Sequence, residues 1–466
     1  MLPERSRLKL RLCCKQLKQE IDHLVGLLIR VFISSNFKND CENYEWVKQI
    51  LIRKLTLESA YGNVTVHSPW TSFLTNGGFI NLSRLSLSGL KLPDKGELAR
   101  NLTVLSTLSS LRELSLYFFD QRFYQSVSSI PRSTENVYDF PNLTTLNLDF
   151  AYTIDYNVSG GDITYLKSFH QIDCPQLKSL SVRLHTRKHQ LETLVWYLEL
   201  VEKFSNSLQY LQTDIRIIGA PSYNRNLNTI RANTEKKAFR VGSQLTNLKE
   251  IDVALLLSIK GVVSGWINFL LGIRTSLEIL KIDFRGYRVW KYFSESALLK
   301  KNSFPNLKSL SLTWNSCNLD LERTTRISNR LEILALSPPA NYGSSVGIIS
   351  FPLSLKKLAL RNSLRGMESW IFLKKCISAR ESLLVQYDQL MGIEWANYLG
   401  VFLTKPNFSW KGIEWRDQVE LTAASALCEK FAIPYAKLYE GDHDESDAFR
   451  VNYIDVDVYD DSEDSD

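Results

Sequence analysis

The sequence predicts an α/β solenoid. Short parallel strands stack into one long sheet, and mainly helical return segments cover its other face. Three observations predict it. First, a six-residue unit with leucine (or a close substitute) at its first, fourth and sixth positions occurs eleven times. The copies begin at Ile52, Leu82, Leu111, Leu143, Leu177, Leu208, Leu248, Leu277, Leu307, Leu331 and Leu355. Second, successive copies lie 24 to 40 residues apart, the period of a repeat array rather than of separate domains. Third, the residues between the leucines are mostly polar. Side chains on a strand alternate faces. The last two leucines of a unit therefore share one face, and polar residues take the other. One short strand cannot bury its leucines alone, whereas stacked neighbours build a continuous core.

Taken in order, residues 1–40 form a basic leading segment. From Leu17, apolar residues at Ile21, Leu24, Leu28 and Val31 follow steps of 4, 3, 4 and 3, which predicts one helix face able to cap the array. Residues 41–365 carry the repeats. Gly219–Gln244, a basic insertion, and Ser337–Gly347, rich in Pro, Gly and Ser, are expected to interrupt them as loops. Residues 366–439 read as a mainly helical cap over the far end, with Trp370, Trp395, Trp410 and Trp415 in its core. From Glu440 to Asp466 there are twelve acidic residues and one arginine, a tail of −11; the chain's net charge of +6 then leaves +17 on the body. Such a block of like charge reads as a solvated terminal tail.

Composition narrows the function classes. With 44% hydrophobic and 23% charged residues, the chain can build an ordinary core. Seven cysteines without CxxC spacing point to reduced thiols, and so to cytoplasm or nucleus. The apolar run from His23 is broken by Arg30 and is too short for a membrane span, so no membrane partner is expected. The sequons at Asn63, Asn81 and Asn142 read as coincidental. GxGxxG, GxxxxGK[ST] and HExxH are absent, no nucleophile lies beside a base, and the chain is expected to be no enzyme. His185 and His189 read as part of a basic loop, and Asp455 and Asp457 as part of the acidic tail. No metal and no cofactor is expected. The basic body lacks a stripe of cations with interleaved aromatics, so nucleic acid is not the expected partner.

The candidate binding surface is the outward row of strand positions. Tyr117, Asp149, Arg183, Asp214, Glu250, Asp252, Lys281 and Asp283 lie in the middle repeats. Five carboxylates meet two cations there, which predicts a surface favouring a partner segment with Lys or Arg.

From about residue 46 to 362 the sequence resembles the leucine-rich-repeat family. The asparagine that usually follows the strand is nearly absent, and Asn315 is its one good match, so an irregular array is expected. The stretch LPERSRLKLRLCCKQLKQEID resembles the second half of an F-box through Leu2, Pro3, Leu8, Leu10, Arg11, Cys14, Lys15 and Ile21. Leu17 stands where that family prefers tryptophan, and the first helix of such a box would precede Leu2. The resemblance implies that these residues dock on a Skp-family adaptor of a cullin ligase core. The repeats would then select the protein substrate of an SCF-type ubiquitin ligase. The alternative is a free-standing repeat scaffold with no ligase link.

Overall fold

The computed structural model describes residues 27–33, 52–59, 74, 79–90, 95–118, 137–150, 168–186, 190–217, 227–257, 260–285, 293, 296–314, 321–337, 351–360, 376–379, 382–387 and 408–410. Within them, fourteen strands form one sheet, and every neighbouring pair is parallel. Its order is that of the sequence: β1 (Leu27–Ile33), β2 (Ile52–Ser59), β3 (Arg84–Leu90), β4 (Glu113–Phe118), β6 (Thr145–Phe150), β8 (Ser179–Thr186), β9 (Tyr210–Ile217), β10 (Glu250–Leu257), β11 (Ile279–Arg285), β12 (Ser309–Trp314), β13 (Ile333–Ser337), β14 (Lys357–Leu360), β15 (Leu384–Tyr387) and β16 (Phe408–Trp410). Strands β5 (Tyr138–Asp139) and β7 (Ile172–Asp173) pair with each other on the return side. All eleven predicted units are strands of the main sheet. A parallel sheet whose strand order never departs from chain order is a solenoid.

Each unit is built alike. In eight units the first leucine closes a turn by donating its N–H three or four residues back, as Leu82 does to Phe79 O (3.1 Å) and Leu143 to Phe140 O (3.2 Å). These leucines, from Leu82 to Leu355, are at most 2% exposed. Burying each one contributes about 1.5–3 kcal/mol. The next residue but one begins the ladder. Ser83 O accepts the N–H groups of both Arg112 and Glu113, and the same double bond recurs from repeat to repeat as far as Glu332 O, which takes Lys356 and Lys357. From β4 onward the register is therefore constant although the returns differ in length, whereas β1–β2 and β3–β4 each carry one shift. The one polar residue in a leucine slot, Thr213, is satisfied by the hydroxyl of buried Tyr197 at 2.5 Å.

The longer returns are helical: α1 (Lys95–Ser106), α2 (Gln190–Lys203), α3 (Leu227–Gln244) and α4 (Lys260–Ile273). The last three pack side by side on the sheet. Between α3 and α4 the backbones touch. A Cβ on Gly242 would lie 2.4 Å from Phe269 O, and one on Gly272 would lie 2.6 Å from Phe239 O, so only glycine allows this approach. Beneath lies an aromatic cluster, with Tyr197 and Trp266 rings 5.3 Å apart and Trp266 and Phe269 rings 5.5 Å apart. After β12 the described returns hold only short helical pieces, the five-residue α5 (Leu321–Thr325) and a single turn at residues 376–379.

Four expectations need correction. Leu28 and Val31 lie in β1, not on a helix. Their 4-3 spacing satisfied a helix pattern, but the run LLIRVFI is rich in β-branched residues and pairs along β2. The segment read as a mainly helical cap contributes β15 and β16, so the sheet continues beyond the last recognisable unit. The insertion read as a loop holds α3, the longest described helix, whose buried face is the narrow stripe Thr234, Ala238 and Val241. His185, read as part of a loop, lies in β8 opposite Arg216. Leu2, Pro3, Leu8, Leu10, Arg11, Cys14, Lys15 and Ile21 fall outside the described residues, as do Asn315, Asp455, Asp457 and the acidic tail.

Candidate interaction surface

The strand register places the predicted outward residues in three rows across the open face of the sheet. One row runs Tyr117, Asp149, Arg183, Asp214, Ala254, Asp283. The next runs Ser115, Asn147, Ser181, Gln212, Asp252, Lys281, Ser311. In the third, Tyr210, Glu250 and Ile279 are neighbours. All eight predicted interaction residues therefore sit on one face, as their alternation required.

Their electrostatics are graded. Arg183 bridges two carboxylates, with Nη1 3.1 Å from Asp149 Oδ2 and Nε 3.6 Å from Asp214 Oδ2. Lys281 Nζ lies 2.7 Å from Glu250 Oε1. The two cations thus complete internal pairs rather than merely interrupting the acidic run. Asp252, beside Lys281 in the register, is in none of the ion pairs among the described residues. Burial pushes its carboxyl above the usual range. Lys281 opposes that shift, while Glu250, Asp283 and Asp214 reinforce it. Tyr210 is pushed up to about 12 by burial and by the nearby carboxylates of Asp252 and Glu250. Small Ala254 stands between Asp214 and Asp283 in the same row, so carboxylates flank a low point in the surface.

Elsewhere the face changes character. Toward β3 it holds the Arg84–Glu113 pair at 2.9 Å and the bond from Asn147 Nδ2 to Ser115 Oγ at 2.9 Å. Toward β14 it turns apolar. Ile333 is 40% exposed, while Ala335 and Ala359 on the same face are buried. Tyr117, 39% exposed, is the large aromatic on the other flank.

Sequence reasoning missed a second polar system on the rim where the chain turns into each strand. The Nδ2 groups of Asn142, Asn247 and Asn306 donate to Ser109 O, Asn206 O and Thr275 O of the preceding repeat at 2.7–2.8 Å. An asparagine ladder thus precedes the strands instead of following them. Its signal was the dipeptide Asn-Leu opening four of the units. On the same rim an alternating file, Lys249, Glu278, Lys308, Glu332, Lys356, carries ion pairs of 3.6, 2.8 and 3.0 Å.

Among the described residues no group of three or more His, Cys, Asp or Glu could hold a metal ion. Cys174 and Cys376 are buried, and burial raises both thiols, Cys174 to about 12, so neither is a ready nucleophile. No described helix is long and apolar enough to cross a membrane. No protein-family model matches the sequence, and no curated protein matches it.

Proposed function

We propose that this protein binds other proteins through the open face of its sheet, with the carboxylates around Ala254 receiving a Lys- or Arg-bearing segment of the partner. The observation that carries this reading is the imbalance of charge on that face. Arg183 and Lys281 are already engaged, and Asp252 remains half-buried among like charges. An incoming cation would relieve that repulsion, whereas an anionic partner would add to it. We further propose that the protein serves as a substrate-recognition subunit of an SCF-type ubiquitin ligase in the cytoplasm or nucleus. Leu2, Pro3, Leu8, Leu10, Arg11, Cys14, Lys15 and Ile21 would then hold the Skp-family adaptor, and catalysis would belong to its partners. The support is the F-box-like pattern followed by a repeat array.

The free-standing scaffold is kept as a second reading because β1 takes up Leu28 and Val31, which were expected on the helix of the leading segment. Co-purification with the adaptor decides between them. The ligase reading expects stable binding by the full chain and loss of binding when residues 1–21 are removed; no binding by either chain leaves the scaffold. Partner capture is tested separately with D252K/D283K, which should release a cationic partner. Unchanged capture would overturn the proposed role of the acidic centre.

A further inference from the structure

We infer that the rim before β11–β14 is the docking surface for the chain's own acidic C-terminal segment, residues 440–466. Four exposed cations gather there: Arg274 after α4, Lys300 and Lys301 after the turn Ala297–Leu299, and Arg330 before β13. Hydrogen bonds join the turns that carry them. Asn306 Nδ2 donates to Thr275 O at 2.7 Å, Arg330 Nη1 donates to Asn306 Oδ1 at 3.1 Å, and Ser303 N–H donates to Lys300 O at 3.2 Å. None of the four cations is in an ion pair among the described residues, whereas Lys308 and Lys356 on the same rim are neutralised by Glu278 and Glu332. The contrast with the helical back sharpens the point. There Arg231, Lys237 and Arg240 are paired with Glu235, Glu199 and Glu202. Arg112 and Lys178 nearer the other end of the rim and Lys236 on α3 are also exposed and in none of these ion pairs, so what distinguishes this stretch is four such cations on adjoining turns.

A second feature marks the same rim. Leu353, in the turn before β14, is 91% exposed, the most exposed large apolar residue described. The tail matches both features. Ile454, Val456 and Val458 alternate with Asp455 and Asp457, and Asp460, Asp461, Glu463, Asp464 and Asp466 follow. In an extended segment the apolar residues share one side. They suit Leu353, and the carboxylates beyond them suit the cations toward β11. Three strand spacings separate the β11 and β14 turns, about 15 Å. About five extended residues cover that distance.

Geometry allows the contact. From β16 to β11 is five strand spacings, about 24 Å. Residues 411–439 separate Trp410 from the tail and could reach roughly 95 Å when extended. Tethering makes the encounter intramolecular, which raises the local concentration of the tail at the rim. No other anionic partner has that advantage.

Arg450 is the only Lys or Arg in residues 440–466, so trypsin nicking after it reports on the tail in the intact protein. In the full chain at low ionic strength, cleavage there is expected to be at least fivefold slower than in K300E/K301E/R330E. The control K178E/R112E, on the same rim near the other end, should cleave as the parent does. Zero-length carbodiimide coupling of the dilute full chain should join tail carboxylates to Lys300 and Lys301 in preference to Lys178 and Lys236. Equal cleavage in all three proteins, couplings spread evenly over the lysines, or couplings found only between two copies of the chain would each overturn the inference.

Discussion

The stretch backed by α2, α3 and α4 and the stretch from β12 to β14 share one strand pattern but are held together differently. In the first, cohesion lies behind the sheet. The contact of Gly242 with Gly272 and the Lys237–Glu199 and Arg240–Glu202 pairs join one return to the next, and the rings of Tyr197 and Trp266 join α2 to α4. In the second, the described returns are short and cohesion moves to the rim. Asn302 N–H bonds Arg326 O at 2.8 Å, Phe304 N–H bonds Ile327 O at 2.9 Å, and Ser328 Oγ donates to Leu307 O at 2.7 Å. The difference teaches that the invariant part of the repeat is the turn and the strand it launches. The return is free to vary because neighbouring strands already fix the register.

The comparison can be broken most severely at the glycine contact. Gly272→Val forces a side chain into the backbone of α3 and is expected to cost about 3 kcal/mol or more. Urea unfolding should show the loss, and hydrogen exchange should place it in the helix-backed stretch. Parent-like stability would mean that the two helices do not meet there. Leu334→Ala, in the thin stretch, removes a fully buried side chain and should cost about 2–5 kcal/mol. Its effect on exchange should centre on β12–β14 and leave α3 and α4 protected. Glu278→Lys turns an attractive file of rim charges into a repulsive one beside Lys249 and Lys308. These side chains are exposed, so the loss should stay under about 1 kcal/mol, and it should shrink in high salt. A loss unaffected by salt would point to packing rather than charge.

Two smaller effects separate binding from folding. The folded state favours protonated Asp252, so above the usual carboxylate range its charge costs stability. Asp252→Asn should raise the melting temperature at neutral pH while weakening capture of a cationic partner. A variant that lost both stability and binding would show Asp252 to be structural. His170 stacks on Trp196 and is lowered mainly by burial, against opposing contributions from its bond to the Trp196 carbonyl and from Glu199. The unfolded chain therefore binds that proton more readily, and its contribution to stability falls as pH drops below about 6.5. Urea midpoints at pH 7 and pH 5 should show a smaller drop for His170→Gln than for the parent.

Much of the fold was legible in the sequence because leucine spacing reports burial directly. Each unit from Ile52 to Leu355 became a strand, and the alternating residues correctly placed Asp149, Arg183, Asp214, Glu250, Asp252, Lys281 and Asp283 on one face. What escaped did so for physical reasons. The end strands β1, β15 and β16 lack the full leucine signature, and Leu28 and Val31 of β1 fit helical spacing as well as a strand. Helix α3 buries only a narrow stripe and covers its polar sides with ion pairs, so its composition resembled a loop. Charge pairing across strands depends on which repeats become neighbours with which registers. Arg183 could be seen among the acids, but its bridge to both Asp149 and Asp214 could not.

The contact between Gly242 and Gly272 also bears on curvature. Neighbouring strands lie about 4.8 Å apart, whereas helix axes ordinarily lie about 8–10 Å apart. A repeat array must fan outward to reconcile the two spacings. Where two glycines let the helix backbones meet, the outer spacing shrinks toward the inner one and the arc relaxes. That relaxation falls behind β10 and β11, which carry Asp252 and Asp283. The acidic strands therefore stand in front of the closest approach between two returns, where the back of the array pushes its repeats apart least.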